Sequence, residues 1–229
     1  MEQIFTTTSK MPCDSISISA HLCKTGSKLA EIKGSVCHKC YALRGNYNYP
    51  SVKNKHQRVL EFMRSPDFVQ RMTGMLMASG NNYFRWFDSG DVQDEAMAHS
   101  ILDVCEATPW VSHWIPSKEY RIWRTVLKDR PQPANACIRY STHFDDKKPT
   151  KAGQNTSTTF TSGDSPAAVG HVCIADKIKE QTGQYSCGPC RACWDTSVDN
   201  IAYPKRFEGK ASKTANAHAV NSVNLLEIA

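Results

Sequence analysis

The stretch YFRWFDSGDVQDEAMAHSILDVCEATPWVSHWI, residues 83–115, alternates between the pattern of a β-strand and that of an α-helix. YFRWF, residues 83–87, and WVSHWI, residues 110–115, are short aromatic and aliphatic runs typical of strands. Between them, VQDEAMAHSILDVCEA, residues 92–107, has apolar residues at helical spacing. A strand, a helix and a second strand in this order predict a βαβ unit with parallel strands.

The same alternation continues on both sides of this unit. KEYRIWRTVLKD, residues 118–129, predicts a helix, and NACIRYS, residues 135–141, predicts a further buried strand. Nearer the N-terminus, SISISA, residues 15–20, predicts a strand, whereas residues 21–50 have the composition of a loop. We therefore predict an α/β fold, with a parallel sheet arranged as a partial or irregular (β/α) barrel.

The length of 229 residues and the lack of a long linker predict a single domain over residues 1–229. Its expected parts are an N-terminal cysteine segment at 10–45, an α/β core at 50–141, a loop-rich segment at 142–170 and a C-terminal cysteine knuckle at 171–195. We expect both cysteine-rich segments to bind metal.

Charge and hydropathy indicate a cytoplasmic protein without a membrane partner. No apolar run approaches the roughly 20 residues that span a bilayer, and MEQIFTTTSK lacks the build of a secretory signal. The net charge of +6 permits a nucleic-acid partner without requiring one.

Ten cysteines are unusual for a cytoplasmic chain, because cytosolic thiols are kept reduced. In that compartment, clustered cysteines more often bind metal or take part in redox chemistry. Cys105 and Cys137 lie within a predicted helix and a predicted strand, which indicates buried structural side chains.

The strongest metal signal is SCGPCRACWD, residues 186–195, which holds Cys187, Cys190 and Cys193. Two residues between successive cysteines is the spacing that wraps thiolates around a [4Fe-4S] cluster, and Cys173 would supply a fourth ligand. Zinc is the alternative metal, although structural zinc more often takes cysteine pairs from two separate knuckles.

A second group contains Cys13, Cys23, Cys37 and Cys40, the last two within CHKCYA. This single Cys-x2-Cys pair can be a metal knuckle, a redox pair or a chance occurrence, and His38 is a minor candidate ligand. The two groups of cysteines could also share one cluster.

Polar residues follow the predicted strands, where ligands bind in parallel α/β folds. Asp88, Ser89, Gly90 and Asp91 follow one strand, Ser117 ends the next, and Arg139 lies in the third. We predict catalytic roles for Asp88, Asp91 and Arg139 and cofactor contacts for Ser89, Gly90 and Ser117; the alternative for Asp91 is capping of the next helix, a role that Asp94 could also fill. We further expect Arg139 to pair with Asp88, and Asp88 to share a cavity with a cluster.

Several of these motifs, in this order, resemble a family of bacteriophage proteins named after a mycobacteriophage gene product, the gene-product-eighty-eight-like family. The resemblance rests on KMPC, CHKCYALRG, FRWFDSGDVQ, WIPSKE, IRYS and CGPCRACWD, within residues 10–205. It implies a phage or prophage origin, and hence the cytoplasm of a host cell.

CHKCYA after a strand and FDSGD after another also resemble, more loosely, the radical S-adenosylmethionine (SAM) enzymes. The resemblance implies a partial barrel, a [4Fe-4S] cluster at the first cysteines, SAM as a cofactor and an auxiliary cluster at CGPCRACW. This chain departs from the usual Cys-x3-Cys-x2-Cys loop, because Lys33 stands where the first cysteine belongs and Cys23 would have to replace it.

Two functions therefore compete. The first is an iron–sulfur enzyme of redox or radical type that acts on a small molecule. The second is a non-enzymatic protein that is stabilised by an iron–sulfur cluster or zinc and binds nucleic acid or a host protein.

Overall fold

The computed structural model describes residues 3–150 and 155–205. Eight strands, β1 to β8, span Thr6–Thr7, Asp14–Ile16, Tyr83–Trp86, Ser112–Ser117, Ala136–Ser141, Thr156–Phe160, His171–Val172 and Asn200–Pro204. Six helices, α1 to α6, span Lys24–Ala30, Pro50–Met63, Phe68–Ser79, Glu95–Ala107, Tyr120–Asp129 and Ala175–Thr182. The predicted αβ alternation over residues 83–141 is present as β3, α4, β4, α5 and β5.

Local signals explain where several helices begin and end. Pro50 occupies the first turn of α2, where its missing N–H costs nothing. Gly80 ends α3 in the left-handed conformation, with a φ of 66°. Asp94 caps α4 by accepting a hydrogen bond from the Met97 backbone N–H at 2.9 Å, so Asp94 rather than Asp91 is the capping residue.

All eight strands belong to one sheet in the order β1-β2-β3-β4-β5-β6-β8-β7. β1 pairs with β2 in antiparallel fashion, and all other pairings are parallel. The prediction of an α/β fold with a mainly parallel sheet is confirmed. Because spatial order follows chain order until the exchange of β7 and β8, successive strands lie beside one another across most of the sheet.

One face of the sheet is covered by helices. Alternate strand residues such as Ile16, Phe84, Trp86, Ile115 and Ile138 form a core with apolar side chains of α2, α3, α4 and α5. Successive side chains of a strand point to opposite faces, so the residues between them belong to the other side of the sheet.

The other face carries polar, aromatic and sulfur-containing side chains. Register alignment places Arg85 beside Trp114 and Trp114 beside Cys137 on this face. Trp194 from the C-terminal knuckle packs here: its indole N–H donates to the Phe84 carbonyl at 2.9 Å, and its ring lies 5.4 Å from that of Trp114. The knuckle therefore lies against the face that the helices of the main core leave open.

Two sequence predictions need correction. Residues 21–50, predicted to be loop, contain α1 and three 3-10 turns, Ala20–Leu22, Tyr41–Leu43 and Gly45–Asn48. The strand predicted at residues 15–20 is shorter and shifted, at Asp14–Ile16, because the chain turns into the first 3-10 turn at Ala20.

The predicted single domain, residues 1–229, includes ends that lie outside the described residues. In the described ranges, no helix is both long and apolar enough to cross a membrane.

Candidate metal and ligand site

A cavity of about 490 Å³ opens on the polar face of the sheet. Its lining combines residues from the strands, the loop after β2, α2, and the cysteine-rich C-terminal segment. The lining includes Arg85, Asp88, Cys173, Cys187, Cys193 and Tyr203. Asp88 thus lines the same cavity as three C-terminal cysteines, and its sharing a cavity with a cluster stays a prediction.

Asp88 is nearly buried, with 8% of its surface exposed. Arg85 Nη1 lies 3.1 Å from Asp88 Oδ1, at ion-pair distance although not in hydrogen-bond geometry, and the Ser15 hydroxyl donates to Asp88 Oδ2. The Arg85 guanidinium also lies over the ring of Trp114, 4.6 Å from its centroid. Asp88 is thus held in one orientation by a cation and a hydroxyl.

The residue before Asp88 has an unusual backbone conformation. Phe87 has a φ of 55°, in the left-handed region that bulky side chains rarely adopt. Such residues persist where the surrounding structure imposes them, and they are common at functional sites. The strain at Phe87 turns the chain out of β3, so that Asp88 meets the cavity.

The prediction that Arg139 pairs with Asp88 is wrong. Arg139 is fully buried, and each of its five N–H groups donates to a backbone carbonyl. The acceptors are Thr156, Ala192, Cys193, Asp195 and Val198, at 2.7 to 3.3 Å. Four of these carbonyls lie in or directly after the knuckle, so Arg139 fixes the knuckle to the sheet instead of facing a ligand.

Ser89 and Gly90 contact the protein itself rather than the cavity lining. The Ser89 hydroxyl donates to the Ile18 carbonyl at 2.8 Å. Gly90 has a φ of +81°, and a Cβ there would stand 2.9 Å from the same carbonyl oxygen. The close approach that glycine allows is therefore to the chain after β2, whereas the sequence suggested a ligand.

Asp91 joins the ends of β3 and β4. Its carboxylate accepts hydrogen bonds from the Ser117 hydroxyl at 2.7 Å, from the Lys118 backbone N–H at 2.7 Å and from the Val92 N–H at 2.8 Å. Burial raises the pKa of Asp91 to about 7, against the effect of these hydrogen bonds. Asp91 and Ser117 therefore form a hydrogen bond with each other, at the strand ends where the sequence predicted them.

Three cysteines of the N-terminal group, Cys23, Cys37 and Cys40, lie beside these strand ends. A Cβ built on Gly26 would stand 3.5 Å from Cys23 Sγ and 3.8 Å from Cys37 Sγ, so both sulfurs border the same small gap. Burial raises the pKa of the Cys23 thiol, and neighbouring Asp91, Cys37 and Cys40 raise it further. We call Cys23, Cys37 and Cys40 the N-terminal trio.

The carboxylate of Glu119, two residues after the end of β4, holds α1 next to this strand. Glu119 accepts from the Thr25 backbone N–H and from the Thr25 hydroxyl, both at 2.8 Å. These bonds fix the start of the helix that begins directly after Cys23. A glutamate after a strand carries no sequence signal for such a role.

Cys13 departs from the predicted grouping. It packs with Met11, Trp194, Cys187 and Cys193, on the polar face of the sheet. The Cys187 backbone N–H donates to the Lys10 carbonyl at 2.8 Å, which ties the segment before β2 to the knuckle. Burial raises the pKa of the Cys13 thiol to about 12. Cys13 therefore belongs with the C-terminal cysteines, and we call Cys13, Cys173, Cys187, Cys190 and Cys193 the C-terminal group.

Two side chains that the sequence did not single out contact sulfurs of this group. The Tyr203 hydroxyl lies 3.1 Å from Cys193 Sγ, and His171 Nε2 lies 3.3 Å from Cys190 Sγ. Burial raises the pKa of Tyr203 well above its usual value, so this hydroxyl keeps its proton. Both residues come from the neighbouring strands β7 and β8, whose contact with the knuckle depends on sheet topology.

The remaining two cysteines, Cys105 and Cys137, are completely buried. His38 Nδ1 contacts the Ala30 carbonyl at 3.2 Å. Within the described part of the chain, no group of three or more His, Cys, Asp or Glu side chains converges closely enough to hold a metal ion. A cluster's protein ligands surround several metal atoms, so they stand farther apart than the ligands of one ion.

Comparison with known proteins gives one family. No significant match was found among curated proteins or among solved structures. The family model described as Gene product 88 matches residues 2–196, which include both groups of cysteines and the strand ends at Asp88 and Asp91. The chain therefore belongs to the gene product 88 family.

Proposed function

We propose that this protein is an iron–sulfur enzyme of redox or radical type, with a small-molecule site between two cysteine centres. The observation that carries the proposal is the grouping of eight cysteines into the N-terminal trio and the C-terminal group. Asp88, Arg85 and three of the C-terminal cysteines line one cavity, and Tyr41, which follows Cys40 directly, lines it as well. A ligand in this cavity would meet the C-terminal group directly and would approach the N-terminal trio on the side of Tyr41.

The composition of the trio supports a [4Fe-4S] cluster with one iron left for an external ligand. Three thiolates satisfy three of the four irons, and SAM is the external ligand that the looser family resemblance implies. Such a cluster, when bound, supplies single electrons to its ligand. The position of Cys23 beside Cys37 supports this proposal, because α1 brings it to the place that a conventional three-cysteine loop would fill.

The protein's own residues would position and orient such a ligand. Glu119 holds α1, and thereby Cys23, against the end of β4. Asp91 joins the neighbouring ends of β3 and β4, next to the trio. Asp88, oriented by Arg85 and Ser15, offers a buried carboxylate at the cavity wall.

The C-terminal group supports a second, fully ligated centre. Cys173, Cys187, Cys190 and Cys193 can supply four thiolates, and Cys13 is a fifth sulfur in the same region. Because Arg139 and Trp194 fasten the knuckle to the sheet, this centre would be held rigidly beside the cavity. An electron-transferring or structural role fits a closed site better than a catalytic one.

The arrangement of the sheet supports a barrel-like curvature. Neighbouring strands follow chain order over most of the sheet, the helices of the main core lie on one face, and the cavity opens on the other. A sheet wound in one direction, with helices outside and a ligand site inside, is the plan of (β/α) barrels. We propose a partial barrel whose lumen holds the cavity.

The test is a metal analysis of protein purified without oxygen. We expect iron and sulfide in equal amounts, an absorption band near roughly 400 nm, and SAM binding in equilibrium dialysis. One equivalent of zinc without sulfide would refute the iron–sulfur proposal and favour the metal-stabilised binding protein, for which nucleic acid and host protein are the candidate partners. If the protein contained iron and sulfide but did not bind SAM, the proposal of iron–sulfur clusters would stand and the proposal of SAM as a ligand would be wrong.

A further inference from the structure

The cavity carries an excess of basic side chains. Lys10, Lys55 and Arg85 line it, and Asp88 is the one carboxylate among the described residues of its lining. Asp88 is already paired with Arg85 and accepts from the Ser15 hydroxyl. Among the described residues of the lining, the two lysines therefore have no carboxylate of their own, and Lys10 lies near Cys187, a ligand of the proposed cluster.

Lys55 is the more constrained of the two. Its ammonium donates to the Phe5 carbonyl at 2.8 Å and to the Thr6 hydroxyl at 3.0 Å, both neutral acceptors. An ammonium has three donors, so one remains for a ligand once these two contacts with described residues are made. A partly buried cation that is held by neutral groups favours an anion as its next contact.

Aromatic rings form much of the remaining wall. Tyr41 and Tyr47 meet edge to face at 5.6 Å, and Tyr47 lies 6.1 Å from His56, on the helix that carries Lys55. Trp114, also in the lining, is 8% exposed, and its indole N–H is buried without a hydrogen-bond partner among the described residues. Flat apolar walls beside fixed donors suit a planar molecule that carries acceptor groups.

From this combination, we infer that the cavity binds a planar organic anion, with its carboxylate or phosphate group at Lys55 and its ring against the aromatic wall. The volume of about 490 Å³ lies in the range of small-molecule sites. The inference rests on the proposed function in taking this cavity as the ligand site, and it adds the chemical class of the ligand.

Four probes of similar size test the inference on metal-loaded protein by isothermal titration calorimetry. Benzoate and phenyl phosphate carry a ring and an anionic group, benzyl alcohol is neutral, and benzylamine is a cation. We expect at least one anion to bind, and the neutral and cationic probes to bind at least about tenfold more weakly, as the loss of a charge-assisted hydrogen bond predicts. Whichever of the two anions binds more tightly identifies the acidic group of the ligand as a carboxylate or a phosphate.

Variants of α2 locate the site. Lys55→Gln should lower the affinity for the anion at least about tenfold, and Lys55→Arg should retain most of the affinity because it keeps the charge. Lys53→Gln, an exposed lysine on the same helix, is the matched control and should leave binding unchanged.

Equal binding of anionic and cationic probes, or no anion binding at all, would overturn the inference. So would unchanged anion affinity in Lys55→Gln. Each of these results can be obtained with the iron and sulfide content intact, so failure here is distinct from failure of the iron–sulfur proposal.

Discussion

Arg139 Nε donates a hydrogen bond to the backbone carbonyl of Cys193 over 2.9 Å, from the middle of the sheet to the cysteine knuckle. Together with four further carbonyl contacts, this bond makes Arg139 the attachment point of the C-terminal cysteines. The charge is fully buried, so its removal affects both stability and the position of the knuckle.

Replacement of Arg139 should therefore loosen the knuckle. Arg139→Met removes all five hydrogen bonds that the guanidinium donates to these carbonyls, and we expect a loss of unfolding free energy on the order of 3–5 kcal/mol in urea titrations. Metal bound by the C-terminal group should be lost first. Arg71→Met, which removes a half-exposed ion pair with Asp67, is the control and should cost less than about 1 kcal/mol. Equal costs for the two variants would contradict this role of Arg139.

The reassignment of Cys13 predicts which metal each cysteine variant loses. Cys13→Ser and Cys193→Ser should lower the metal occupancy of the same centre, whereas Cys23→Ser should lower the occupancy of the other centre. Iron counts and electron paramagnetic resonance measure both occupancies. Cys105→Ala and Cys137→Ala should keep full metal content and cost about 1–2 kcal/mol in stability. Loss of the same resonance signal in Cys13→Ser and Cys23→Ser would instead support the predicted grouping of Cys13 with Cys23, Cys37 and Cys40.

Metal binding by the N-terminal trio should require a glycine at position 26. A Cβ at this position would stand 2.9 Å from Cys23 Cβ and would enter the gap that Cys23 Sγ and Cys37 Sγ border, 3.5 and 3.8 Å from the two sulfurs. We expect Gly26→Ala to lower metal occupancy at the trio only. Gly74→Ala in α3, where no atom lies within 4 Å of the new Cβ, is the matched control and should stabilise the helix by about 0.5–1 kcal/mol. Unchanged iron content in Gly26→Ala would show that the gap plays no part in metal binding.

Tyr203 should set the reduction potential of the C-terminal centre. Its hydroxyl lies 3.1 Å from Cys193 Sγ, and a hydrogen bond to a ligating sulfur stabilises the more negative, reduced form. Tyr203→Phe should therefore make the midpoint potential more negative in a redox titration. Tyr83→Phe, whose ring packs 5.4 Å from Trp194 in the same cluster, serves as the control. Identical shifts in both variants would indicate a packing effect instead.

His113 should make stability dependent on pH. Its ring accepts from the Trp86 indole N–H at 3.2 Å and contacts the Thr108 hydroxyl at 2.9 Å, and burial lowers its pKa to about 3. The unfolded chain binds a proton at this side chain below pH about 6.5, whereas the folded chain does so only near pH 3. Stability that is complete above pH 6.5 should therefore fall as the pH drops towards 3.

Urea titrations between pH 8 and pH 5 measure this effect. His113→Gln should flatten the pH dependence, and His99→Gln, which alters an exposed histidine, should not. A wild-type profile that is level over this range would contradict the buried neutral state of His113.

The sequence was enough to predict the α/β class and the elements from residue 83 to residue 141, because hydrophobic periodicity is a local property of each segment. It also singled out the knuckle, since Cys187, Cys190 and Cys193 are held close by the chain itself. Asp88 could be expected at a ligand site, because ligands of parallel sheets bind beyond the carboxyl ends of the strands.

Which distant residues meet depends on the tertiary structure. Cys13 joins Cys187 because β2 lies next to β3 and the knuckle packs across that face, and Cys23 joins Cys37 because α1 turns back over the end of β4. Arg85 rather than Arg139 pairs with Asp88, because the two share one strand end, while backbone carbonyls of Thr156 and of the knuckle region take every donor of Arg139. Contacts of this kind depend on strand order and on competition among partners, which local patterns do not contain.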